Sequence, residues 1–292
     1  MALSFQLLAG QLVLGLINGS FYALLSLGLA IIFGILNIAN FAHGAQYMFG
    51  AMLAWGLLEY AGIGYWYALP LVFLGAGLLG LLTEAIFIRR MYHVDPLYGI
   101  LLTFGITLMM QGVFRNYYGV SGLPYSVPAS LSGSWNLGVM YLPIYRVWVI
   151  VAAVVICFLT WYTIEKTRIG ANLRAATENP TLAEAFGLNV PLLKAAAYAG
   201  GVGLAGLAGA FAAPVYSVNP MMGSEIVIVA FAVVVIGGMG SIKGAIIAGF
   251  SMGALEGLAK VFWPEFSAMV IYIVMVAVIL YRPGVDIFGR KV

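Results

Sequence analysis

The chain has 292 residues, 63% of them hydrophobic and only 8% charged, with a mean hydropathy of +1.05. Soluble globular chains are about 45–50% apolar and about 25% charged, so this composition calls for lipid as its solvent and leaves no stretch for a separate soluble domain. A net charge of +3, thinly spread, excludes nucleic-acid binding.

A spanning helix needs about 20 mostly apolar residues. In chain order the candidates are 5–36, 41–58, 69–88, 97–114, 147–162, 195–215, 226–239, 245–261 and 268–281. The first is long for one upright span, and Asn18-Gly19-Ser20 inside it predicts a tilt, kink or break. The seventh and last are short, so the reading is an all-α polytopic membrane protein with eight or nine transmembrane helices. Residues 1–292 then form a single transmembrane domain. Met1 to Gly10 lacks a basic n-region and an Ala-x-Ala site and is read as mature sequence.

Basic residues orient the spans. Arg89, Arg90, Lys166, Arg168, Arg174, Lys194, Lys243, Arg282, Arg290 and Lys291 share one side, whereas Arg115, Arg146 and Lys260 fall on the other. The first side is therefore cytoplasmic, and nine crossings put the N-terminus outside and the C-terminus inside. Residues 115–146, rich in Gly, Ser, Pro and Tyr, form an external loop. Residues 165–194 form a polar cytoplasmic loop. Within it Asn179 suits a helix cap, Pro180 the first helical position, and Gly187 the left-handed residue after the end. A two-turn helix there has no core of its own to join, and is either decoration or a docking element.

Asn37, Asn40, His43 and Gln46 recur every three residues and on a helix would make one polar stripe. Such residues in a span face the bundle interior or an aqueous cavity. They read as a pathway-lining strip for a polar solute; alternatively Asn37 and Asn40 cap a helix start and His43 bonds a carbonyl. Thr103, Thr107 and Gln111, spaced by four, make a second stripe, whose blander reading is helix-to-helix glue. Glu84 lies within reach of Arg89 and reads as structural, and Glu256 sits four before Lys260, a favourable helical pair. Glu225 suits the first turn of a helix. Gly249, Gly253 and Gly257 repeat the GxxxG spacing twice, which lets another helix approach closely; Gly15 and Gly19 show it once.

Catalytic constellations are missing from the sequence. Cys157 is the single cysteine, which excludes a disulfide framework and a cysteine metal site, and His43 and His93 are too few for zinc or haem. The only aspartates, Asp95 and Asp286, fall in cytoplasmic loops, and there is no paired carboxylate or H-E-x-x-H. The expectation is a transport subunit rather than an enzyme, and one without a metal of its own.

Four stretches in order along the chain carry a resemblance. Asn40-Phe41-Ala42-His43-Gly44 resembles an early "NFAHG" signature. Thr167 to Val190, including Ala183-Glu184-Ala185-Phe186-Gly187, resembles a cytoplasmic loop motif. Gly237-Gly238-Met239-Gly240-Ser241-Ile242 resembles a "GGxGSIxGA" turn, and Tyr281-Arg282-Pro283 with Phe288-Gly289 an "RPxGLFG" ending. Together they resemble the smaller permease subunit of the branched-chain amino-acid branch of ABC importers, a family that includes urea and short-amide permeases.

The resemblance implies a type II-like importer fold in the plasma (inner) membrane. Its implied partners are two cytoplasmic ATPase subunits, a second homologous permease subunit and an external solute-binding protein. Asn179, Pro180, Ala183, Glu184, Ala185 and Gly187 would then form the helix that couples to an ATPase. ATP and Mg would be held by the partner subunits, since no G-x-x-x-x-G-K-[ST] sequence occurs here. The implied cargo is a branched-chain or other hydrophobic amino acid; urea or a short amide is the alternative, followed by an ATP-independent channel or carrier. The chain departs from the pattern at Ala45-Gln46, where many relatives carry Glu, and at Lys243, the usual Pro.

Overall fold

The computed structural model describes residues 5–92, 94–136 and 141–281. Its helices are α1 (Phe5–Leu36), α2 (His43–Ala61), α3 (Tyr65–Ile86), α4 (Pro96–Tyr118), α5 (Ile144–Lys166), α6 (Arg168–Glu178), α7 (Pro180–Ala185), α8 (Val190–Ala212), α9 (Met222–Gly237), α10 (Ile242–Phe262) and α11 (Met269–Tyr281). Six of them, α1, α3, α4, α5, α8 and α10, are long and apolar enough to cross a membrane; α9 and α11 are shorter apolar helices. The terminal Arg282-Pro283 to Phe288-Gly289 stretch, with Arg290 and Lys291, lies outside the described residues, as does His93.

α1 is apolar on every side, and such a helix belongs in the centre of a bundle. Phe21, Leu24, Leu25, Leu27, Leu29 and Ile32 are all fully buried, enclosed by α5, α8, α9 and α10. The expected interruption does not occur, and α1 is continuous through Asn18-Gly19-Ser20. The Ser20 hydroxyl donates to the Leu16 carbonyl one turn back (2.9 Å), so its polarity is met inside the helix and does not break it. α2 and α3 pack on another side of α8, whereas α4 and α11 are peripheral.

The doubled GxxxG of α10 meets its complement on α1. A Cβ on Gly253 would stand 2.3 Å from the Cα of Gly19, and one on Gly15 2.4 Å from the Gly253 carbonyl oxygen. Gly249 faces Ala23 and Gly257 faces Gly15. This seam lets two backbones touch, where dispersion replaces the hydrophobic drive that lipid cannot supply.

One face of the bundle collects the basic residues. Arg174 and Lys243 line a cavity of about 380 Å³ together with the ends of α1 and α5. Arg89 pairs with Glu84 (Nη2–Oε2, 2.8 Å), Tyr92 donates to the same carboxylate (2.6 Å), and Lys194 lies over the Tyr92 ring. Burial and that carboxylate push the Tyr92 hydroxyl well up, so it remains a donor. Glu84 is fully buried and fully bonded, a structural acid.

The opposite face carries a departure from an all-helical fold. Strands β1 (Ser134–Asn136) and β2 (Tyr141–Pro143) pair antiparallel, Trp135 opposite Leu142. Arg115 is still in α4, which continues to Tyr118. Leu123 and Val218 exchange backbone hydrogen bonds (2.7 and 3.1 Å), tying this loop to the α8–α9 connection.

Candidate functional site

Three regions hold the residues singled out by the sequence. The first begins where α1 ends. Asn37 adopts a left-handed backbone (φ 53°), which Asn tolerates better than most residues, and its N–H closes the helix on Phe33 (2.8 Å). The chain is not helical again until His43. Asn37, Asn40, His43 and Gln46 are therefore not one helical stripe, because the turn at Asn37 resets the phase of their spacing. Asn37 is exposed, while Asn40, His43 and Gln46 are fully buried. Nor does either Asn cap α2, whose cap position is Ala42 with no side-chain bond.

This non-helical run lies deep in the bundle. His43 Nε2 bonds the Leu25 carbonyl (3.0 Å), and Leu25 precedes the end of α1 by about 16 Å at 1.5 Å per residue. Irregular backbone at such depth is tolerated only where protein satisfies it, and α4 does so. The Phe41 N–H donates to Thr103 Oγ1 (3.1 Å), and Thr107 Oγ1 donates to the Phe41 carbonyl (3.2 Å). Thr103 Oγ1 also lies 3.3 Å from the Ala39 carbonyl oxygen. Gln111, the third member of the stripe, donates to Ser224 Oγ at the start of α9 (2.7 Å). Thr103, Thr107 and Gln111 are thus one buried face; the two threonines clamp the broken segment and Gln111 ties α4 to α9.

Behind the clamp, Asn40 Nδ2 donates to Gln46 Oε1 (3.0 Å) and Gln46 Nε2 to the Tyr198 hydroxyl (3.2 Å). Two buried atoms of this cluster have no hydrogen-bond partner among the described residues, Asn40 Oδ1 and His43 Nδ1. The Leu25 carbonyl can only accept, so in the neutral ring Nε2 carries the proton and Nδ1 is also an acceptor. The cluster therefore offers two bare acceptors to a donor, whether water or the N–H of a solute. Tyr198 was missed from sequence, since a lone tyrosine in the Ala- and Gly-rich run of α8 has no periodic signal.

The second region is α7. Asn179 Oδ1 accepts from the Leu182 N–H (3.0 Å), Pro180 follows the cap, and Gly187 is left-handed (φ 83°). Against expectation the helix has a small core: Ala183 is buried with Ala176 and Val190. Asn179, Pro180, Glu184, Ala185 and Gly187 are exposed, and Leu182 and Phe186 present 54% and 81% of their surfaces to solvent.

The third region was not anticipated. A cavity of about 640 Å³ opens between α1, α2, α9, α10 and α11, bounded by Tyr22, Tyr47, Tyr216, Tyr272, Glu225 and Glu256. Tyr22 donates to Glu256 Oε2 (2.7 Å), whose other oxygen meets Lys260 Nζ (2.7 Å). Among the described residues no group of three or more metal-ligating side chains occurs.

Long apolar helices around a central one, with buried polar groups clamping a broken segment, define a multi-pass membrane protein. The profile described as "Branched-chain amino acid transport system / permease component" matches residues 11–279, and the chain belongs to that family. The high-affinity branched-chain amino acid transport system permease protein BraD of Pseudomonas aeruginosa is 29% identical, over 96% of this chain and 95% of that one. The probable branched-chain amino acid transport permease protein LivH of Methanocaldococcus jannaschii is 30% identical, over 93% of this chain and 91% of that one. LivM of Salmonella typhimurium, a permease protein of the same kind of system, is 28% identical over 90% of this chain and 66% of that one.

Proposed function

We propose that the chain is the membrane-spanning subunit of an ATP-driven importer that moves branched-chain amino acids across the plasma (inner) membrane. The observation that carries this reading is α7, a capped helix on the basic face, which this reading takes as cytoplasmic, that shows Leu182 and Phe186 to solvent. Exposed apolar side chains on a short, pre-formed helix suit docking into a cleft of a partner. The partners are two cytoplasmic ATPases, which bind ATP and Mg, an external binding protein that delivers the solute, and a second permease chain; similarity to both LivH and LivM supports a pair of unlike chains.

In this reading nine helices cross the bilayer and the C-terminus is cytoplasmic. ATP-driven closure of the ATPases moves α7, and with it α6 and α8, which share its small core. Coupling requires that the two states of the permease bind the ATPases differently. The solute passes the broken segment, where Asn40, His43, Gln46, Thr103, Thr107 and Gln111 line its route and the bare acceptors receive its N–H groups. Urea or a short amide is the second reading, favoured by those same acceptors, which match amide donors.

The test is Glu184→Ala combined with Gly187→Pro. Proline cannot adopt φ 83° and removes the N–H that Gly187 donates to Glu184 (2.9 Å). The double variant is expected to insert normally and lose ATP-dependent uptake; unimpaired uptake would contradict a coupling role for α7.

A further inference from the structure

The cavity between α1, α9, α10 and α11 has a chemistry that the transport reading leaves unused. It is bounded by two carboxylates and four tyrosines, and no Lys, Arg or His lines it. Glu256 is paired with Lys260, which is not among the lining residues, whereas Glu225 makes no ion pair among the described residues. Tyr47, 2% exposed, lines the cavity with a hydroxyl that has no hydrogen-bond partner among the described residues. An unpaired hydroxyl on a cavity wall has only a ligand or water to bond. The rest of the wall holds Asn18, Ser217 and Asn219 toward the mouth and an apolar part that includes Phe21, Ile226 and Val229. The volume, about 640 Å³, lies in the range of small-molecule sites, about 300–1,000 Å³.

The carboxylate of Glu225, which has no ion-pair partner among the described residues, repels an anion, and tyrosine faces attract a cation by their quadrupole. We propose that this cavity binds the primary ammonium group of an aliphatic solute, with Glu225 supplying the charge and the apolar part of the wall taking the hydrocarbon part. The site rests on the transport reading for its place on the route: it would be the first stop inside the permease, since exposed Tyr216 and Ser217 put its mouth on the face opposite the basic residues.

The test is solute protection of a cysteine in the cavity of the full chain in intact cells. Ser217→Cys, with Ala268→Cys as a second probe site, is labelled from outside with a membrane-impermeant maleimide; native Cys157 is buried. Isoamylammonium is expected to slow labelling at least threefold and isocaproate, its anionic analogue, to leave it unchanged. Glu225→Gln in the same background should abolish the protection. Equal protection by both solutes, protection by neither, protection that survives Glu225→Gln, or failure of both cysteines to label would each overturn the proposal. Leucine uptake in the same cells keeps the two readings apart: lost uptake on gene deletion without ammonium protection sinks the cavity alone, and protection with unchanged uptake sinks the transport reading alone.

Discussion

Replacing Thr103 with Val tests whether α4 holds the broken segment together. The side chains are nearly isosteric, so packing changes little, but the hydroxyl that accepts from the Phe41 N–H at 3.1 Å is lost. Thr103 is fully buried, and the Phe41 N–H has no other hydrogen bond among the described residues. Leaving a buried donor unsatisfied costs about 1–3 kcal/mol, equivalent to a factor of roughly 5–150 in the unfolding constant. The assay is unfolding of the purified chain in mixed micelles by titration with denaturing detergent. Thr163→Val is the control, because the Thr163 hydroxyl is exposed and bonds only its own helix at Leu159 (2.8 Å); it should cost no more than about 0.5 kcal/mol. Thr103→Ser, which keeps the hydroxyl, should recover most of the loss. Equal stability of Thr103→Val and Thr163→Val would refute the claim that this threonine satisfies backbone at membrane depth.

Other expectations follow from the same geometry. Gly253→Val puts a branched side chain where even a Cβ would stand 2.3 Å from the Cα of Gly19; overpacking of about 1–3 kcal/mol or more should lower the yield of folded protein. Gly105→Val, in open space, should be tolerated in the same expression and unfolding assays. Phe186→Ala removes a side chain 81% exposed, so stability should change by less than about 0.5 kcal/mol while stimulation of the partner ATPases by solute falls. Asn179→Ala deletes the cap of α7 and should cost about 1 kcal/mol, read as faster amide exchange of Leu182.

What could be read from the sequence follows the range of the forces involved. The ends of α7 were legible at Asn179, Pro180 and Gly187, since capping and left-handed termination act within a few residues. The α4 face of Thr103, Thr107 and Gln111 was legible for the same reason, through regular periodicity. The Asn37 to Gln46 stripe misled because one left-handed residue in an apolar run reset its phase, and spacing carries no mark of that. Asn18-Gly19-Ser20 resembled a break, yet α1 is locked by neighbours distant in sequence, and glycine there serves the seam with α10. The tyrosine-lined cavity draws its side chains from five helices and the α8–α9 connection, so no local pattern announces it.

The most direct measurement is accumulation of labelled leucine and labelled urea by cells with and without this gene, each before and after energy depletion. Loss of energy-dependent leucine accumulation on deletion, with urea unaffected, is the predicted result. Leucine accumulation that is unchanged by deletion, or that persists in full without metabolic energy, would contradict an ATP-driven branched-chain amino-acid permease.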